Sequence, residues 1–218
     1  SEFGGGDQPA TVYLQVLEEL ARGWLTVAMG VSVHVLACHG VAEYGSRAQR
    51  EELLPGMLSG AQLGAYCLSE PHAGSDPAAM RTHARRDDDA AGPGGFVVTG
   101  DKAWITHGSI ADFYLLLART SDEGSHGISA FYVPAAAPGL IPQAPEKKMG
   151  VRASPTCGIR FDRVPVPREH LLGREGQGFA IAMSALNTGR LGIAACAVGV
   201  AQAALDCAVA YARERHAF

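Results

Sequence analysis

From Gly178 to Phe218 the chain is rich in alanine, and between Leu191 and Leu205 apolar residues fall on nearly all sides of the helix this stretch would form. A helix that is apolar all round cannot face water; neighbours must cover it from more than one side. That requirement restricts the chain to folds in which a long helix lies within a bundle or between subunits. Gly189, Gly192 and Gly199 would each weaken an isolated helix by about 1 kcal/mol relative to alanine. They read instead as points where another helix or a ligand approaches closely.

The first sixty residues also read as helical. Pro9 can open a helix carrying Tyr13, Leu14, Val16, Leu17 and Leu20, which Gly23 breaks, and a second runs from about Leu25 to Cys38. Ser46-Arg47-Ala48-Gln49 has the form of a capping box opening a third helix through Leu54. Composition then shifts towards strands and turns. Phe96–Thr99, a Gly100-Asp101 turn and Ala103–Thr106 read as a β-hairpin. Phe113–Ala118, Ile128–Val133 and Cys157–Phe161 are further short strands. Arg85–Gly95 is a charged, Gly/Pro-rich loop whose Asp87-Asp88-Asp89 run reads as a solvated tip. The expected class is α+β, with a helical N-terminal part (1–62), a middle antiparallel β domain (63–174) and the start of a C-terminal helical bundle (175–218).

With 18 Lys+Arg against 22 Asp+Glu the formal charge is −4, which argues against nucleic acid as the main partner. Hydrophobic residues make up 47% of the chain, enough to bury a core. No apolar run reaches the roughly 18–20 residues of a membrane span; the one from Gly30 to Gly40 is too short and is interrupted by His34 and His39. Cys38, Cys67, Cys157, Cys196 and Cys207 form no C-x-x-C pair, and no signal-peptide pattern opens the chain. The expectation is buried, reduced thiols in a cytoplasmic protein. His34 and His39 are five apart, which misses the spacing that puts two ligands on one helical face, so no metal site is expected. No nucleophile elbow, phosphate-binding P-loop or G-x-G-x-x-G fingerprint is present.

Chemistry concentrates in three segments and one helical pair. Tyr66-Cys67-Leu68-Ser69-Glu70-Pro71-His72-Ala73-Gly74-Ser75-Asp76 leaves an apolar stretch, turns at Pro71, and offers two hydroxyls and backbone amides around Gly74. Such a loop can hold a polar ring system or a phosphate. Trp104-Ile105-Thr106-His107-Gly108 follows, with Trp104 suited to packing on a flat ring and Thr106 two positions on, hence on the same strand face. Asn187 and Arg190 are three apart on one helical face, and Tyr211-Ala212-Arg213-Glu214-Arg215-His216-Ala217-Phe218 closes the chain.

Over essentially the whole chain, these segments resemble the acyl-CoA dehydrogenase family of flavoproteins, most nearly its short-chain branch. Lys148-Met149-Gly150, Phe161-Asp162-Arg163-Val164 and Leu172–Phe179 agree with the same pattern. The resemblance implies a FAD cofactor held by Tyr66, Cys67, Leu68, Ser69, Gly74, Ser75, Trp104, Ile105 and Thr106. The Leu68 backbone and Ser69 hydroxyl would meet the flavin pyrimidine edge, and Thr106 would lie near N5. Ser75, Asn187 and Arg190 would meet acyl-CoA. Arg215 and Phe218 would reach the FAD of a neighbouring subunit in a homo-oligomer, a tetramer by resemblance, with electron-transfer flavoprotein as acceptor. His107 stands where the family usually has Asn or Ser, and Asn187 where it commonly has Asp.

The resemblance also implies that helical sequence is missing at both ends. Gly189 occupies the position where a minority of the family carries the catalytic glutamate, so no catalytic residue is assigned here and the base is expected beyond Phe218. An acyl-CoA oxidase, a flavin monooxygenase, a nucleotide-binding partner subunit without turnover and a scaffold without cofactor remain as alternatives.

Overall fold

A computed structural model describes residues 2–217, and the architecture is helical, then β, then helical. Helix α1 (Ala10–Tyr44) is broken at Trp24, with φ −157° and ψ 97°, next to the glycine expected to break it. Its second limb runs on to Tyr44, past the expected end at Cys38. Helix α2 (Arg47–Leu58) opens on the Ser46–Gln49 capping box, with both reciprocal hydrogen bonds made. It continues beyond Leu54 with Pro55 inside it.

The middle part is one eight-stranded sheet, made of β1 (Gly64–Cys67), β2 (His83–Arg86), β3 (Phe96–Thr106), β4 (Phe113–Arg119), β5 (Ile128–Pro134), β6 (Leu140–Pro142), β7 (Thr156–Val166) and β8 (Leu171–Leu172). Its order is β6-β7-β3-β2-β4-β5-β8, with β1 beside β4. Most pairings are antiparallel, but β1 and β2 both meet β4 in parallel. The sheet is therefore mixed rather than purely antiparallel.

The expected hairpin at Gly100-Asp101 does not form. Phe96–Thr106 is one continuous strand along β7, and its register slips between Val98 and Gly100 and again between Lys102 and Ile105. The glycine that resembled a turn signal marks a bulge, where φ of 153° suits a residue without Cβ. Asp87 caps a short helix, α3 (Asp88–Ala91), and Asp88 accepts the Gly94 amide, so this acidic run organises the tip of its loop.

Strand β4 shows why the sheet reads as unbroken apolar runs: it is buried on both faces. Phe113, Leu115 and Leu117 face a core shared with Ala37, Val41, Met57 and Ile181 of the helices. Tyr114, Leu116 and Ala118 face a second core with Phe96, Phe131 and Phe161.

Helix α4 (Gly178–Glu214) lies along α1, sharing a small core of Leu17, Ala21, Ala28 and Cys196. The first turns of α4 also rest on the sheet through Ile181 and Ala182, but further along cover comes from the α1 side alone: Leu191, Val198, Leu205 and Tyr211 are exposed. Cys207 is exposed too, unlike the four other cysteines and contrary to the expectation of burial. By length and composition both α1 and α4 are apolar enough to cross a membrane, contrary to the expectation drawn from unbroken apolar runs.

Candidate functional site

Where α1 and α4 lean on the sheet they leave a cleft of about 610 Å³. Its apolar wall is a helical stripe. Phe179, Met183 and Leu186, at spacings of four and three on α4, face it together with Val33 and Leu36 of α1, and Arg190 ends the stripe one turn on. The opposite wall is polar and comes from the loop after β1 and the end of β3: Ser69, Gly74, Ser75, Trp104 and Thr106.

Trp104 lies in the slip between Lys102 and Ile105 and has φ 58°, a left-handed conformation costly for a bulky residue. Its side chain is not in the core, where a strand tryptophan would ordinarily sit. The residue is 56% exposed and lines the cleft. Among the described residues the Ser69, Ser75 and Thr106 hydroxyls and the Trp104 indole N–H have no hydrogen-bond partner, although all four groups border the same space.

Beneath this polar wall lies a buried ion pair. Lys102 Nζ donates to Glu70 Oε1 at 2.8 Å and to the Leu68 carbonyl at 2.9 Å, with side chains 0% and 1% exposed. Glu70 also accepts the Arg81 and Thr82 amides at 2.7 and 3.0 Å, and His72 Nε2 lies 3.4 Å from it. Burial pushes the Glu70 carboxyl up, but the Lys102 ammonium and the donated amides more than reverse this, leaving it below the ordinary carboxylate value. Burial lowers Lys102 below the ordinary lysine value, against the pull of Glu70. The Ala103 amide donates to the Ser69 carbonyl at 2.9 Å, so the loop and the strand are joined at successive residues.

Residues 1–61, 65–164 and 176–218 match, in turn, the N-terminal, middle and C-terminal domains of acyl-CoA dehydrogenases. The chain belongs to the acyl-CoA dehydrogenase family. A short-chain-specific acyl-CoA dehydrogenase of Megasphaera elsdenii is 41% identical over 99% of the chain, which covers 56% of that relative. The solved butyryl-CoA dehydrogenase of the same organism superposes with a TM-score of 0.95 at 39% identity, over 100% of this chain and 57% of that one. A glutaryl-CoA dehydrogenase of Mycobacterium smegmatis, solved with FADH2, gives 0.89 at 34% identity, over 99% of this chain and 54% of that one. The chain thus spans about half the length of the relatives it matches.

Of the residues the family resemblance assigned, Tyr66, Leu68, Ser69, Gly74, Ser75, Trp104, Ile105, Thr106 and Arg190 line one cleft. Tyr66 does so with its hydroxyl tied to the Ala182 carbonyl at 3.2 Å, and burial raises its pKa. Cys67 does not line it: the side chain is fully buried on the core side and burial raises the thiol pKa. Asn187 is not among the lining residues; its Oδ1 accepts from Arg190 at 3.5 Å. Arg215 is exposed at the far end of α4, where its amide caps the helix on Tyr211. Phe218 lies outside the described residues.

Sequence reading missed the Glu70–Lys102 pair. The available signal was weak: Glu70 sits inside the first motif between Ser69 and Pro71, and Lys102 lies two residues before Trp104, beside Asp101. A cleft of similar size, about 650 Å³, lies between the start of α2 and the Arg168–Arg174 segment and contains none of the residues assigned to cofactor or substrate. Among the described residues no group of three or more His, Cys, Asp or Glu side chains could hold a metal ion.

Proposed function

We propose that the full-length protein is an FAD-dependent acyl-CoA dehydrogenase that converts an acyl-CoA thioester to its trans-2-enoyl derivative. The observation that supports this most is the gathering of polar groups without partners from two separate motifs on one wall of a single cleft, opposite an apolar stripe that ends in an arginine. A flat, amphipathic ring system suits such a space. The indole can pack on its face, hydroxyls and amides can meet its edges, and the absence of Cβ at Gly74, which has nothing within 4 Å, leaves room for close backbone approach.

In this reading Ser69 and the neighbouring amides hold the polar edge of the ring, Thr106 bonds near its reactive nitrogen, and Ser75 bonds to phosphate or to the pantetheine arm. When bound there, a flavin would supply the acceptor for the hydride leaving the substrate β-carbon. The apolar stripe excludes water and orients the acyl chain. Arg190 supplies a fork of donors to the anionic CoA moiety. The proton on the α-carbon goes to a carboxylate base. No glutamate lines this cleft, and Asp76 is its single acidic residue. By the family resemblance, with Gly189 at the position where a minority carries the glutamate, the base is expected in sequence beyond Phe218.

A homotetramer, with Arg215 and Phe218 reaching a neighbour's cofactor and electron-transfer flavoprotein as electron acceptor, belongs to the same proposal. So do the three-part division at residues 62 and 174 and a cytoplasmic location. The test is to replace Ser69 and Trp104 together by Ala in the full-length protein and to measure flavin per subunit by absorbance. The proposal expects lowered occupancy, and full retention of flavin would remove the ring from this wall.

A further inference from the structure

The Glu70–Lys102 pair is costly for a role in stability alone. Two ions have been taken out of water, and apolar residues of similar volume often replace a buried pair without loss of stability. Besides tying the Arg81 and Thr82 amides, the pair orients one peptide group that borders the cleft. Lys102 Nζ holds the Leu68 carbonyl at 2.9 Å inside the core. In a trans peptide the N–H points opposite to the C=O, so the Ser69 N–H is turned away from Lys102. Ser69 borders the cleft, and no acceptor for its N–H is found among the described residues. The Leu68 carbonyl, one of the groups assigned to the cofactor edge by resemblance, is thus engaged inward, and the donor is what remains.

Lys102 is not free to leave this carbonyl, because Glu70 fixes its ammonium and is itself fixed by the Arg81 and Thr82 amides. A cation on the oxygen of a peptide polarises the whole unit and strengthens its N–H as a donor. Such a preoriented dipole stabilises negative charge developing on whatever it faces.

We infer that Lys102, held by Glu70, is a positioning residue that polarises the Leu68–Ser69 peptide towards the cleft and so raises both the affinity for flavin and its reduction potential. The inference rests on the flavin reading of the cleft given above. Reduction places negative charge on the ring system, so a stronger donor at its edge favours the reduced form.

The test is the reduction potential and dissociation constant of flavin in the full-length holoprotein, compared with those of the double variant Lys102→Met with Glu70→Gln. That variant removes both charges together and leaves no lone buried ion. The expected result is a more negative potential and roughly tenfold weaker flavin binding, the order of one charge-assisted hydrogen bond. Lys102→Arg keeps the cation and is expected to hold the potential near that of the wild type. A double variant with unchanged potential would overturn the inference. So would a Lys102→Arg potential that falls as far as the double variant's, since shape rather than charge would then be responsible. If the double variant yields no holoprotein, Lys102→Gln alone is read against the same outcomes. A wild-type protein without flavin would instead defeat the functional reading on which the inference stands.

Discussion

Replacing Gly199 by Ala should destabilise the protein, although helix propensity alone predicts the reverse. In an exposed helix the change would add about 1 kcal/mol of stability. Here a Cβ at position 199 would lie 2.1 Å from the Glu18 carbonyl oxygen and 3.2 Å from the Ala21 Cβ. An ordinary C···O contact is about 3.3 Å or more. The obstacle is backbone, so no side-chain rotation relieves it, and α1 and α4 must part locally by about 1 Å on this contact distance. Parting loosens the core that they share, in which Leu17 is 0%, Ala21 3% and Cys196 1% exposed. Overpacking of this kind costs about 1–3 kcal/mol, and an obstacle made of backbone puts this site at the upper end, so after the propensity gain of about 1 kcal/mol the net loss should be roughly 2 kcal/mol. Gly189→Ala serves as control: its Cβ would meet Leu36 Cδ1 at 3.0 Å, the end of a side chain that can move. Thermal unfolding of the full-length variants decides the matter. The reasoning fails if Gly199→Ala melts at or above the wild-type temperature, or if the control loses as much.

Burial lowers the pKa of His107, opposed by its bond to the Gly64 carbonyl; burial also lowers His39 and His170, from an ordinary value of 6.5. The unfolded chain therefore binds more protons than the native one below about pH 6.5, and stability should fall as the pH drops through that region. Melting temperatures at pH 7.5 and 5.5 should show this fall, and His107→Asn, which removes one of the three groups, should reduce it. Arg190→Ala should weaken acyl-CoA binding by tenfold or more, as expected for a lost charge-assisted contact, while flavin content stays unchanged. Equal affinity by titration would return this residue to a surface role. Arg215→Glu should lose flavin and dissociate together, seen by light scattering and absorbance on one sample. A variant that stays assembled with full cofactor would refute the shared site.

Much of this fold could be read in the sequence because its signals were local. The Ser46 capping box, the break beside Gly23 and the buried strand Phe113–Arg119 each follow from a few adjacent residues. The false hairpin at Gly100-Asp101 shows the limit of such signals. A glycine followed by aspartate suits a turn and a bulge alike, and only the partner strand β7 decides between them. The candidate site divided in the same way. Motif residues around Ser69 and Trp104 were legible as a set, but the left-handed Trp104 and the Glu70–Lys102 pair depend on a tertiary contact across 32 positions. The apolar wall was latent in the spacing of Phe179, Met183, Leu186 and Arg190, yet spacing alone cannot say which side of an all-round apolar helix faces a cleft.

The most direct test of the functional account is anaerobic titration of the purified full-length protein with a short-chain acyl-CoA such as butyryl-CoA, followed by flavin absorbance. The account predicts a yellow protein whose flavin band is bleached by about one equivalent of thioester per site, with appearance of the trans-2-enoyl product. A colourless protein, or a bound flavin that no acyl-CoA reduces, would contradict it.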